Sequence, residues 1–245
     1  MDRKVALVTG GARGIGAAIC EKLASIGYYV YVNHRSDKPE NYRLLKNIRS
    51  SGGKADLIYF DITRTEDIQA ALECFNEKKL DLLVFNAGML KDELIYKIDL
   101  DTWHKVLDTN YFGSVQLFEL FKEKLHKADS PIVVSISSIS GIKPRVGQAA
   151  YAVSKSMMIE WTRRMAASQE NKINFYCISP GPVNTELLKK TKWANRDGAL
   201  KRIPLGRFIE PEEIAVIVCL LNKNNFVKNG FNIIYDAGFI NTVKE

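Results

Sequence analysis

Seven short runs of aliphatic and β-branched residues punctuate the chain, and most are apolar at consecutive positions, not at alternate ones. They are Val5–Val8, Tyr29–Val32, Asp56–Tyr59, Leu80–Phe85, Ile132–Ser137, Ile173–Ile178 and Phe231–Tyr235. Side chains of a strand point alternately to its two faces, so an unbroken apolar run requires both faces to be covered. Helices flanking a parallel sheet meet that requirement, because each parallel connection must carry the chain back across one face. Stretches with helical character near 14–26, 40–51, 65–77, 102–126, 150–168 and 211–222 separate the runs, as βαβ units demand. The pattern predicts an α/β fold, a doubly wound parallel sheet of about seven strands with helices on both faces. No Ser/Gly-rich linker, repeat or low-complexity run divides the 245 residues, so residues 1–245 read as a single domain.

Composition narrows the function by exclusion. Hydrophobic residues make up 46% of the chain and charged residues 26%, ordinary for a protein with a sizeable core. The net charge of +7 is compatible with nucleic acid, a membrane surface or an anionic small molecule. No helix-turn-helix or similar basic motif is visible, so no nucleic-acid partner is expected. The longest apolar run, Ile214–Leu221, has eight residues, short of the roughly 20 that a membrane helix needs. After Met1-Asp2-Arg3-Lys4 only four apolar residues precede Thr9, too few for a signal-peptide core, and the expected location is cytoplasmic. Cys20, Cys74, Cys177 and Cys219 stand far apart in apolar stretches without a C-x-x-C, and read as isolated buried thiols. His34, His104 and His126 have no metal-ligand spacing, so no metal is expected.

In a doubly wound sheet, ligands bind beyond the carboxyl ends of the strands, and that is where the unusual residues fall. The first strand is followed by Thr9-Gly10-Gly11-Ala12-Arg13-Gly14-Ile15-Gly16 and then a helix. Glycines let the backbone turn sharply and approach a pyrophosphate, which the free N–H groups of a helix N-terminus would bind. After the second strand the chain reads Asn33-His34-Arg35-Ser36-Asp37. An acidic residue there would hold a ribose 2′-hydroxyl, whereas Arg35 suits a 2′-phosphate, with Arg13 able to reach the same group. The cofactor expected is therefore NADP(H).

Tyr151-Ala-Val-Ser-Lys155 places a phenol and an ammonium on one helix face. A second such pair, Tyr42 and Lys46, sits in a polar helix without a partner hydroxyl and reads as a solvated face. Thirteen residues before Tyr151 stands Ser138, in Ser135-Ile-Ser-Ser138-Ile-Ser-Gly141, with Ser137 and Ser140 as alternatives. Carbonyl reduction generates an alkoxide that needs a proton, and an ordinary tyrosine is a poor acid–base group near neutral pH. A neighbouring ammonium would lower its pKa.

These motifs resemble the short-chain dehydrogenase/reductase family, whose T-G-x-x-x-G-x-G loop matches Thr9–Gly16 and whose fold is of the Rossmann type. The resemblance covers essentially the whole chain, including Asn86-Ala87-Gly88 (with Phe85 where the family has a further Asn), Thr109-Asn110-Tyr111-Phe112-Gly113 and Pro180-Gly181-Pro182-Val183-Asn184-Thr185. It implies a catalytic tetrad of Asn110, Ser138, Tyr151 and Lys155. Ser138 would hydrogen-bond the reacting carbonyl oxygen, Lys155 would also grip the nicotinamide ribose, and Asn110 would hold a water in the proton relay. It further implies cofactor contacts from Gly10, Arg13, Gly14, Ile15, Gly16, Arg35, Asp61, Ile62, Asn86, Ala87, Gly88, Tyr151, Lys155, Pro180, Gly181, Val183 and Thr185. Asp61 would contact the adenine ring.

Within the family, Asn86-Ala-Gly-Met-Leu-Lys-Asp92-Glu-Leu94 resembles 3-oxoacyl-[acyl-carrier-protein] reductases and acetoacetyl-CoA reductases, although sugar and steroid dehydrogenases share much of it. Residues 185–203 fall where the family has its substrate lid. There Lys189, Lys190, Lys192, Arg196, Lys201 and Arg202 face only Glu186 and Asp197 in the count of charges, a sign that would draw a phosphopantetheine arm, CoA or an acidic carrier protein. Trp193 would either cover the substrate or anchor the lid. The expected reaction is NADPH-dependent reduction of a 3-oxoacyl thioester, with another ketone or secondary alcohol as the rival and a nucleotide-sensing regulator as a remote one. The resemblance implies a homotetramer, and the apolar bulk of Met157, Met158, Trp161 and Met165 on one helix fits such an assembly, although core packing explains some of these residues equally well.

Overall fold

Both faces of the expected strands are covered by helices. In β1 (Val5–Val8), Ala6 and Val8 lie in one apolar cluster while Val5 and Leu7 lie in another across the sheet. The computed structural model describes residues 3–168, 172–191, 193–195, 198–222 and 227–242. Its remaining strands are β2 (Tyr29–His34), β3 (Lys54–Tyr59), β4 (Leu82–Phe85), β5 (Ile132–Ile136), β6 (Asn174–Pro180) and β7 (Asn232–Tyr235). All pair in parallel, in the order β3-β2-β1-β4-β5-β6-β7.

The helices are α1 (Gly14–Ser25), α2 (Pro39–Ser50), α3 (Thr65–Cys74), α4 (Leu100–Leu107), α5 (Gly113–His126), α6 (Ala149–Ala167), α7 (Glu186–Lys189) and α8 (Pro211–Leu221). Ile19 and Leu23 of α1, Ile48 of α2 and Ile214 and Val218 of α8 pack on one face of the sheet. Ile68 of α3, Leu117 and Phe121 of α5 and Met158 of α6 pack on the other. Among the described residues no helix is long and apolar enough to cross a membrane.

Two expectations change. The single helix read over 102–126 is two, α4 and α5, joined by a π turn at Asp108–Phe112. A π turn inserts one residue without interrupting the helical path, so apolar periodicity does not reveal it. Here the insertion turns Asn110 into the interior, where it is 2% exposed. Cys74, read as a buried thiol, is exposed at the end of α3, whereas Cys20, Cys177 and Cys219 are buried as expected.

The segment after β6 carries α7 and packs through Trp193, whose ring lies 4.9 Å from Phe239 and 6.3 Å from Phe208. Trp193 thus anchors this segment to the C-terminal turn. Lys189 pairs with Glu186 at 3.1 Å, while Lys190, Lys201 and Arg202 are exposed. Lys192, Arg196 and Asp197 lie outside the described residues.

Candidate active site

β1 and β4 are neighbours whose onward connections run to opposite sides of the sheet, which opens a crevice beyond their carboxyl ends. The loops after them are drawn tightly together. The Thr9 hydroxyl accepts from the Asn86 and Ala87 N–H groups at 2.9 and 3.0 Å. Asn86 Nδ2 donates to the carbonyls of Thr9 and Gly10, each at 3.0 Å. A side chain on Gly16 would put its Cβ 2.4 Å from the Gly10 carbonyl oxygen, so this fold of the loop demands glycine there. Asn33, at the end of β2, completes the hold. Its Oδ1 accepts from the Gly10 N–H at 3.0 Å and its Nδ2 donates to the Phe60 carbonyl at 3.0 Å. Phe85, in the place of an asparagine, packs in the core against Trp161.

The resulting cradle fits an anion. α1 starts at Gly14, beside the partly exposed Ile15, and Arg13 before it provides no side-chain cap, so the positive end of the helix faces the crevice. Gly14 lies opposite Thr185, 3.3 Å from its Cγ2 to where a Cβ would stand. Arg13 and Arg35 are exposed, and Arg35 reaches Asp61 only at 4.0 Å. So loose a surface pair contributes little and would yield to a phosphate. Asp61 accepts from the Thr63 N–H at 2.9 Å, with Ile62 buried beneath it. Across the crevice, Pro180 ends β6 and the Gly181 N–H donates to the Tyr235 carbonyl. Val183 is buried, and the Thr185 hydroxyl is committed to capping α7.

A polar cluster lies deeper. Gly88, Asn110 and Lys155 converge: a Cβ on Gly88 would stand 3.4 Å from Asn110 Oδ1 and 3.6 Å from Lys155 Nζ. Asn110 accepts from the Met89 N–H at 2.7 Å and donates to the Met89 carbonyl and the Ser154 hydroxyl. Lys155 Nζ donates to the Ile136 carbonyl at 2.8 Å and lies 5.7 Å from the centre of the Tyr151 ring. Of the three candidate serines, Ser138 is the one whose hydroxyl pulls the Tyr151 phenol's pKa down. Ser137 instead donates to the Lys155 carbonyl at 2.8 Å, and Ser140 to Gln148 Oε1 at 3.0 Å.

Electrostatics here depart from the expectation for the Tyr–Lys pair. Burial holds the Tyr151 phenol above its ordinary pKa, opposed by the Ser138 hydroxyl; Asp92 raises it further and Arg145 lowers it. Lys155 lies over the Tyr151 ring and turns its ammonium to the Ile136 carbonyl. Burial lowers Lys155 itself to about 8. Since an unfolded lysine titrates near pH 10.4, the folded chain binds fewer protons than the unfolded one between about 8 and 10.4. The burial penalty is therefore full below pH 8 and fades as pH rises towards 10.4. Lys155→Met is expected to raise the melting temperature at pH 7, by an advantage that shrinks through that window while activity is lost. Calorimetry at pH 7 and 9.5 checks this; a pH-independent difference would contradict it.

Of the residues around Tyr151, the sequence marked Asp92 only within a subgroup motif and gave Arg145 and Gln148 no role. Arg145 Nε donates to Gln148 Oε1 at 3.3 Å, and Gln148 Nε2 donates to Asp92 Oδ1 at 3.3 Å. Asp92 and Gln148 come from different loops, tied by the Glu93 N–H bonding the Gly147 carbonyl at 2.8 Å. Only the fold brings them to one place. Thr9 and Asn33 were visible in the motifs, but no spacing marks a hydroxyl or amide that braces a neighbouring loop.

A switch-point crevice with an uncapped helix and a half-buried tyrosine beside a buried lysine is the architecture of a dinucleotide-dependent oxidoreductase. Residues 4–196 match the family model described as short chain dehydrogenase, and the chain belongs to that family, whose members act on a CH–OH or keto group. More particularly, the chain is 32% identical over 244 residues to the 3-oxoacyl-[acyl-carrier-protein] reductase of Thermotoga maritima, covering 98% of this chain and 99% of that one. Among solved structures it is similar to the 3-oxoacyl-[acyl-carrier protein] reductase of Brucella melitensis in complex with NAD (TM-score 0.90, 25% identity, all of both chains). It is equally similar to a point variant of the actinorhodin polyketide ketoreductase with NADPH (TM-score 0.90, 25% identity, 98% of each chain).

Proposed function

We propose that this enzyme uses NADPH to reduce a 3-oxoacyl thioester, carried on CoA or on an acyl-carrier protein, to the 3-hydroxyacyl thioester. The observation that carries the reading is the meeting of Ser138, Tyr151 and Lys155 beside Gly88 at the crevice between β1 and β4. Likeness to 3-oxoacyl-[acyl-carrier-protein] reductases over nearly the full length supports the substrate class. A bound nicotinamide supplies the hydride. Ser138 donates a hydrogen bond to the ketone oxygen and favours the charge that develops there. Tyr151, kept protonated at neutral pH by burial, gives that oxygen its proton. Lys155 orients the cofactor ribose and offers its ammonium to the phenolate that remains. Asn110 holds the Met89 segment and α6 in register, and it would hold a water of the proton relay.

Arg13 and Arg35 support NADPH over NADH. Hydrogen bonds to a charged group contribute about 1.5–3 kcal/mol, so Arg35→Ala is expected to weaken NADPH roughly 10- to 100-fold and to leave NADH nearly unchanged. Fluorescence titration with both cofactors reads this; an equal loss for both would remove Arg35 from the 2′-phosphate. The exposed Lys190, Lys201 and Arg202 support an anionic acyl carrier. The reading includes a homotetramer that uses the groove between Tyr111 of the π turn and Val153, Met157 and Trp161 of α6, checked by sedimentation. The central test is NADPH oxidation with acetoacetyl-CoA and acetoacetyl-carrier protein. Turnover is expected with at least one, and none with either would discard the thioester substrate.

A further inference from the structure

Arg145 is held beside the reacting tyrosine in a way that its structural contacts do not use up. Its guanidinium carbon stacks 5.1 Å from the Trp193 ring centre and 5.9 Å from that of Phe239, which fixes the plane of the group. Its Nε is bonded to Gln148, and Gln148 is fixed in turn by Ser140 and Asp92. The two Nη groups have no hydrogen-bond partner among the described residues, and Arg145 forms no ion pair there. The guanidinium is half-buried, faced by Asp92, Arg202 and Tyr151, and close enough to the phenol to pull its pKa down. A partly desolvated cation whose four Nη N–H donors are unpaired among the described residues favours the arrival of an acceptor.

We propose that Arg145 receives a second oxygen of the substrate, the carbonyl one methylene away from the ketone that Tyr151 serves, and thereby selects 1,3-dicarbonyl compounds. This rests on the carbonyl-reduction reading above and gives it a specificity-determining residue. With the ketone oxygen on Ser138 and Tyr151, the neighbouring carbonyl of a 3-oxoacyl thioester has a planar, pre-oriented donor at hand. Aromatic stacking and the Gln148 bridge hold that donor in place, so little entropy is lost when the substrate binds. The competing account makes Arg145 only a clasp between the Trp193 segment and the loop after β5.

The experiment measures kcat and KM with NADPH for acetoacetyl-CoA, a 3-oxo ester and a methyl ketone of similar size without the second carbonyl. Wild type, Arg145→Leu and Arg145→Lys are compared, with Trp193→Phe to loosen the clasp while leaving the cation. The expected result is a fall of at least tenfold in the preference for either 1,3-dicarbonyl over the plain ketone in Arg145→Leu, carried mainly by KM. Arg145→Lys should restore part of it, and Trp193→Phe should keep the preference near wild type. NADPH titration of each variant verifies that it is folded, and Arg145→Lys serves alone if Arg145→Leu is not. An unchanged preference, or the same loss in Trp193→Phe, overturns the proposal in favour of the clasp. Reduction of the 3-oxo ester with an Arg145-dependent preference but of no thioester would sustain this inference and reject the thioester substrate. Absence of turnover with every 1,3-dicarbonyl rejects both.

Discussion

Replacing Tyr151 with phenylalanine is expected to cut turnover by about 10²- to 10⁴-fold, the usual contribution of a positioned general acid. The ring stays, so the packing at the start of α6 and the neighbouring Lys155 should be preserved, and NADPH affinity should remain within about threefold of wild type. Only the proton donor is lost. A fall in kcat and kcat/KM together, with cofactor binding retained, is the signature of an interaction made in the transition state. Activity within tenfold of wild type would remove Tyr151 from the acid role. The wild-type phenol, raised above its ordinary pKa by burial, remains in its donating form throughout the neutral range. Reduction should therefore not gain from a rise in pH through that range.

Gly113→Ala is expected to be the most damaging of the conservative changes to the fold near the site. A Cβ at this position would lie 2.3 Å from the Ile62 carbonyl oxygen, and backbone can yield only by moving α5 or the turn after β3. Overpacking of this kind costs about 1–3 kcal/mol, sometimes more, which in a domain of this size lowers the melting temperature by roughly 2–12 °C. The displacement would also reach the active site. Asn110 stands three residues earlier in the π turn and holds Met89 and Ser154. Turnover should fall along with stability, in contrast to Tyr151→Phe, which should leave the melting temperature within a few degrees. A shift below about 2 °C in calorimetry would mean that the contact relaxes at little cost.

Much of the fold and part of the site could be read from the chain because they depend on local pattern. Consecutive apolar residues in Val5–Val8 and Ile132–Ile136 need cover on two faces, and that need specifies a parallel sheet wherever helices alternate with strands. The glycines of Thr9–Gly16 declare a backbone turn that other residues resist. Tyr151 and Lys155 share a helix face through spacing alone. The serine was only partly legible, since the thirteen-residue spacing to Tyr151 favoured Ser138 through the family resemblance and left Ser137 and Ser140 as alternatives. What separates them is where each hydroxyl points once Gly141 lets the turn after β5 press on α6, with a Cβ there only 2.7 Å from the Lys155 backbone.

By itself, then, the sequence determined the class of sheet, the crevice at which ligands gather and the residue types offered to it, because periodicity and glycine placement act through backbone geometry over a few residues. Tertiary structure decided which groups meet. It turned Asn110 inward through a π turn, committed its side chain to Met89 and Ser154, and aimed Lys155 at Ile136. It also brought Asp92, Arg145 and Gln148 from two loops to the side of Tyr151. Those contacts arise between residues up to dozens of positions apart, and their strength depends on burial, which no local pattern encodes.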